Sequence, residues 1–280
     1  MLNNDSSIVS PEEYKKITEE LYKRNLELAT LYKQVDSLNK ELGVANENLR
    51  NVIKQRESLE HLITHKVKGA FTRSKYIFAG ILDGTFGEIS PEIKKIAKQG
   101  LDSDDTGITT VDLILNVANM QKGIVKYDMK TVDLKEIALK IINEKKDSAE
   151  EKGIKIESEI GDDTYNVSGD AFWLKEVTNN LIDNSIRYTQ KGGITVRLQK
   201  HDDKVLITIK DTGIGINEED KKHLFTEGGR GQGSTRINVD STGYGLYSVK
   251  LIIEAHKGRV WAESLGADKG STFYVELPAV

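Results

Sequence analysis

The 280-residue sequence contains no cysteine, so disulfides, thiolate catalysis and cysteine-ligated metal sites are all excluded. It has only 3 prolines, and no apolar run approaches the roughly 18 residues that a membrane-spanning helix needs. The first ten residues are polar and lack the apolar stretch of a signal peptide. Basic residues are spread along the chain rather than clustered, and the net charge is −4. Neither nucleic acid nor an anionic membrane surface is attracted in general by such a chain. A soluble protein of the reducing cytoplasm is therefore expected.

What is present divides into three patterns. Over residues 11–62 glycine and proline are almost absent and apolar residues recur by sevens. Leu21, Leu28, Val35, Leu42 and Leu49 share one heptad position, and Leu31, Leu38, Ala45, Val52 and Leu59 fall three residues later. A stripe this narrow predicts a left-handed coiled coil between two copies rather than a helix lying on its own domain. Arg24 and Arg56 interrupt the seam. The helix is expected to run on through His65 to about Leu82 and to break at Asp83, Gly84 and Gly87. Ser90 and Pro91 then restart it as N-cap and first helical residue, with Glu92 favourable to the helix dipole. Apolar spacing continues to Val117, and Gly123 closes a hairpin whose pairing across a dimer would make a four-helix bundle.

Beyond a linker, mixed α and β patterns follow, without strict βαβ alternation. They predict a sheet covered by helices on one face. The expected organisation is a flexible start (1–10), a coiled-coil signalling helix (11–62), a hairpin (47–123), a linker (124–131) and a globular domain (132–280).

Three segments of the globular end carry chemistry. On a helix, Asn180 and Asn184 lie four residues apart on one face, with Arg187 and Tyr188 one turn further on. An amide oxygen suits Mg²⁺, which keeps waters and shares substrate phosphates, and a neighbouring cation can hold phosphate oxygens. At a strand end, Asp211 precedes Gly213 and Gly215; its carboxylate can accept from an exocyclic amine while the glycines admit close backbone approach. Thr242-Gly243-Tyr244-Gly245-Leu246 opens a helix, whose free amides favour phosphate. Between the last two lies a glycine-rich stretch (227–241), long enough to be a lid or a disordered insert.

In this order the three segments resemble the Bergerat-type (GHKL) ATP-binding domain shared by histidine kinases, type II topoisomerases, mismatch-repair ATPases and related chaperones. The resemblance covers residues 132–280. It implies an α+β chain: a long coiled coil and antiparallel hairpin followed by an α/β-sandwich ATP domain. It also implies ATP and Mg²⁺ as cofactors, with Asn184 as metal ligand, Asp211 on the adenine, and Asn180, Arg187, Tyr188 and Leu246 around the nucleotide. Gly213, Gly215, Gly243 and Gly245 would shape the walls. Phe225 and Arg230 fall where histidine kinases keep a lid phenylalanine and a basic phosphate contact. Hydrolysing relatives carry a glutamate at the position of Asn180, and an amide cannot take a proton from water at neutral pH. The resemblance therefore implies transfer to a protein nucleophile.

The hairpin offers His61 and His65. The separations of His65 from Gly123 and from Asn184 resemble those of the phosphoacceptor in histidine kinases, and His65 is the expected acceptor. The resemblance further implies a homodimer that passes phosphate to a response-regulator aspartate. One departure stands out. His65 is followed by Lys66 instead of an acid, and Gly69 stands where a Thr or Asn is usual. An ATP-binding pseudokinase acting as a dimeric scaffold is the alternative reading, and phosphatase activity by the usual route is not expected.

Overall fold

In a computed structural model, residues 10–229 and 242–280 are described, with only the helical backbone described at 59–61, 63 and 64. The chain divides into two compact units, Met1–Ile63 and Thr64–Val280. Helix α1 (Pro11–Leu82) opens with a capping box. Ser10 Oγ accepts from the Glu13 amide at 3.2 Å, and the Glu13 carboxylate accepts the Ser10 amide at 3.1 Å. In the first unit the expected seam residues Leu21, Leu28, Leu31, Val35, Leu38, Leu42, Leu49 and Val52 are 50–62% exposed. The single chain leaves this stripe uncovered.

The second unit begins with the end of α1, which packs against α2 (Pro91–Gln121). Ser90 caps α2 and Pro91 is its first residue, as expected. Two ring-in-notch contacts set the register between the helices. A Cβ on Gly100 would stand 2.5–2.7 Å from three Phe78 ring atoms, and one on Gly107 2.7–2.8 Å from Phe71. A side chain at either place would have to displace the ring, which favours glycine there although it weakens a helix interior. Ion pairs flank the notches, Lys68 with Asp112 at 2.6 Å and Lys75 with Asp105 at 2.5 Å. Between the notches Asp104 is buried, and its Oδ2 has no partner among the described residues.

The globular part contains β1 (Lys130–Asp133), α3 (Leu134–Glu151), β2 (Ile154–Ile160), β3 (Asn166–Gly169), α4 (Ala171–Tyr188), β4 (Gly192–His201), β5 (Lys204–Asp211), α5 (Glu218–Lys221), α6 (Gly245–Ala255), β6 (Arg259–Glu263) and β7 (Ser271–Pro278). The main sheet runs β2-β4-β5-β7-β6; only β2 and β4 are parallel. Alternation places Ile194, Val196 and Leu198, Val205, Ile207 and Ile209, and Phe273, Val275 and Leu277 on one buried face. Against that face pack apolar residues of α3 (Ile141), α4 (Leu181, Ile182) and α6 (Ile252, Ile253). The opposite face carries Lys155, Glu157, Arg197 and Lys210, all exposed. The expected sheet with helices on one face is what forms.

Two short strands depart from the sequence reading. β1 and β3 pair antiparallel in a separate ribbon, so Lys130 and Thr131, expected in the linker, belong to the domain.

Candidate nucleotide-binding site

Three elements converge on one cleft of about 1030 Å³. The first, α4, starts from Asp170, whose carboxylate accepts the amides of Phe172 and Trp173 at 3.0 and 3.3 Å. Its apolar face (Leu174, Val177, Leu181, Ile182, Ile186) is buried in the core. That packing turns the other face, with Asn180, Asn184 and Arg187, toward the cleft. Asn179, Asp183 and Tyr188 line it as well.

The second is the end of β5. Asp211 is 4% exposed. Its Oδ1 accepts two backbone amides, Gly213 at 2.8 Å and Ser271 at 3.1 Å. Burial raises its pKa above the ordinary carboxyl range, against the lowering effect of those two amides. Just beyond, Gly215 adopts φ +69, and a Cβ there would lie 2.0 Å from the Gly266 carbonyl oxygen. No other residue fits this close approach of two backbones.

The third is the start of α6. Its N-cap Tyr244 contributes no side-chain cap, and Gly243, Gly245 and Leu246 line the cleft beside it. Amides of a first turn left this way favour an anion. Gly243, at φ +73, packs on the backbone of Gly228, so the two ends of the glycine-rich stretch meet.

Of the expected site residues, Asn180, Asn184, Arg187, Tyr188, Asp211, Gly215, Gly243, Gly245 and Leu246 line this one cleft. Gly213 lies behind it; a Cβ there would meet the Tyr188 carbonyl oxygen at 2.4 Å. Phe225 is not among the lining residues; it packs against the hydrophobic core, as does its neighbour Leu224, which also lines the cleft. Arg230 lies outside the described residues. His65 is exposed on α1 and is not among the lining residues; the side chain of His61 is not described.

Sequence reasoning missed the wall formed by α2, where Asp105, Thr109, Asp112, Asn116 and Met120 face the nucleotide segments. Gln121 at its end donates to Glu227 at 2.9 Å and Tyr247 at 3.0 Å. No sequence pattern announces this contact, because it joins positions more than a hundred residues apart. Among the described residues no cluster of three His, Cys, Asp or Glu could hold a metal ion. An ion held by one amide plus waters and substrate phosphates is compatible with that. No described helix is long and apolar enough to cross a membrane.

Fold and cleft together define an ATP-binding domain of the Bergerat type joined to a helical hairpin. Residues 169–280 match the family of histidine kinase-, DNA gyrase B- and HSP90-like ATPases. The chain is 29% identical over 262 residues to the adaptive-response sensory kinase SasA of Gloeothece citriformis, covering 90% of this chain and 64% of that protein. It is 24% identical over 219 residues to the circadian input-output histidine kinase CikA of Synechococcus elongatus, covering 77% of this chain and 29% of the relative. It thus spans less than two thirds of the length of either. Full-length ShkA in complex with AMPPNP shares the fold at a TM-score of 0.65 and 19% identity, over 79% of this chain and 45% of that one. The histidine kinase AdeS of Acinetobacter baumannii does so at a TM-score of 0.55 and 21% identity, over 76% and 97%. The chain is thus similar, in sequence and in fold, to the cores of sensor histidine kinases.

Proposed function

We propose that the protein is an ATP-dependent histidine autokinase that phosphorylates His65 and passes the phosphoryl group to an aspartate of a response regulator. The observation that carries this reading is the single cleft joining Asn180, Asn184, Arg187, buried Asp211 and the uncapped start of α6. Asp211 holds its backbone amides with Oδ1, which leaves Oδ2 to accept from the exocyclic amine of adenine. Arg187 and the first amides of α6 would bind the phosphates. Mg²⁺, held through the Asn184 amide oxygen, would supply charge neutralisation on the phosphates.

In the transfer step an imidazole nitrogen of His65 forms a bond to the γ-phosphorus while the bond from that phosphorus to the β–γ bridging oxygen breaks, and ADP leaves. Catalysis is then chiefly positioning, because the residue that follows His65 is Lys66 rather than an acid that could act as base. The stalk would join two copies as a parallel coiled coil and decide whether the ATP domain reaches His65. That missing acid also keeps a second reading open, a nucleotide-binding pseudokinase serving as a dimeric switch.

The deciding experiment incubates the protein with γ-labelled ATP and Mg²⁺ beside His65→Gln, His61→Gln and Asn184→Ala. An acid-labile, base-stable label, kept in His61→Gln and lost in the other two, is the expected result. Nucleotide binding with no label in the wild type would move the assignment to the pseudokinase.

A further inference from the structure

The joint between hairpin and ATP domain is much shorter than the eight residues expected as linker. Helix α2 ends in a Schellman motif: Gly123 stands at φ +65, its amide donates to the Met120 carbonyl, and the Ile124 amide donates to that of Asn119, both at 3.0 Å. Ile124 therefore still belongs to the hairpin. From the other side, Asp128 donates its amide to Asp170 Oδ2 at 2.8 Å. The ring of Tyr127 meets His256 edge-on at 5.3 Å and Trp173 at 6.1 Å. Burial, and then the charge of Asp170, raises the Tyr127 pKa, in keeping with a ring docked on the domain. Val125 and Lys126 alone lie between the two attachments.

Asp170 is the centre of the docked side. Its carboxylate serves the joint through Asp128 and also caps α4 through Phe172 and Trp173. Its own amide donates to Nε2 of His256 at 2.9 Å. His256 is 2% exposed, and its Nδ1 lies 2.7 Å from the Ile252 carbonyl oxygen. A carbonyl can only accept, so Nδ1 carries the hydrogen and Nε2 is the acceptor. The helix held in this way is the one that presents Asn180 and Asn184, and Trp173 itself lines the cleft.

We propose that Tyr127 and Asp170 are positioning residues that tie the joint to the nucleotide cleft through the start of α4, so that nucleotide binding and joint docking strengthen one another. The inference rests on the reading of the cleft as an ATP site. Coupling of this kind is reciprocal: whatever loosens the joint weakens nucleotide binding, and bound nucleotide holds the joint more tightly.

The test uses the full chain carrying Trp261→Phe, which leaves Trp173 as the only tryptophan of the 2 in the sequence. AMPPNP with Mg²⁺ is titrated against Trp173 emission, trypsin cleavage after Lys126 is timed with and without the nucleotide, and a melting curve is recorded. Tyr127→Ala is expected to weaken AMPPNP about five-fold and to abolish nucleotide protection at Lys126, with little change in melting temperature. Tyr127→Phe restores both. Asp170→Asn, which keeps the cap oxygen but sets an NH2 donor against the Asp128 amide, follows Tyr127→Ala, whereas Asp170→Ala loses the cap as well and also melts lower. Wild-type affinity and protection in Tyr127→Ala would overturn the proposal, as would a loss of affinity explained by a matching fall in melting temperature. A parent that binds no nucleotide would overturn the reading of the cleft first, and this inference with it.

Discussion

In the proposed reading Asp211 divides two tasks between two oxygens, holding backbone amides with Oδ1 and adenine with Oδ2, and its protonation sets them against each other. Burial raises its pKa in the folded chain, so the native state holds this proton more tightly than the unfolded chain does. Stability therefore falls as pH climbs from the ordinary carboxyl range through the raised value and levels off above it. Nucleotide affinity should rise through the same window, because the charged carboxylate is the better acceptor. Asp211→Asn is expected to flatten both slopes in melts and AMPPNP titrations taken from acid to neutral pH. Its Oδ1 can still receive Gly213 and Ser271, which turns the Nδ2 donor into the cleft against another donor. The loss should reach about 1.5–3 kcal/mol, roughly ten- to a hundred-fold in affinity. Most of these site residues were legible from sequence, because short motifs place Asn184, Asp211 and Gly243 at fixed offsets from helix and strand ends. Asp104 was not: within Asp102-Ser103-Asp104-Asp105 it looks like part of a solvated face. Only the partner helix decides which of the acids is buried.

Elements were legible where their signals are local. The cap at Ser90 and the break at Asp83–Gly87 follow from residue type, and long periodic runs mark the helices and main strands, whereas the cap at Asp170 emerges only in the fold. β1 and β3 stayed hidden because each has four residues and gains its meaning from the other, across the intervening α3 and β2. The glycine notches were equally hidden, since glycine within a helix normally reads as a cost. Gly100→Ala tests which effect wins. Helix propensity alone would stabilise α2 by about 1 kcal/mol. Displacing the Phe78 ring should cost about 1–3 kcal/mol, so net destabilisation is expected. Thermal unfolding followed by far-ultraviolet circular dichroism measures it, and a rise in melting temperature would show that the ring is free to leave its notch.

At the scale of the molecule, the uncovered stalk stripe supports the proposed pairing of two copies, and its flanking residues bear on orientation. Glu20, Glu27 and Glu41 precede the seam leucines on one flank, whereas Asn25, Tyr32 and Asn46 occupy the other. A parallel pair sets each glutamate against a neutral residue, while an antiparallel pair sets glutamates against one another. Sedimentation should give twice 31.3 kDa for the wild type. Leu28→Asp with Leu42→Asp should give the monomer mass and lose any labelling that depends on a second copy. Fold class and domain order were readable at this scale because each domain has its own period. The contact between α2 and the cleft was not, since it depends on surfaces that exist only once both parts have folded.

The position of β7 in the sheet has a consequence for how the protein is made. This strand lies between β5 and β6, and through Ser271 it supplies one of the two amides that hold Asp211. Until Pro278 has left the ribosome, β5 has an open edge and the Asp211 end of the cleft lacks a wall. The candidate site is thus completed only once β7 has been made, while the helices of the stalk and hairpin can form as they emerge. A nascent chain cannot present the whole cleft before its sheet is complete.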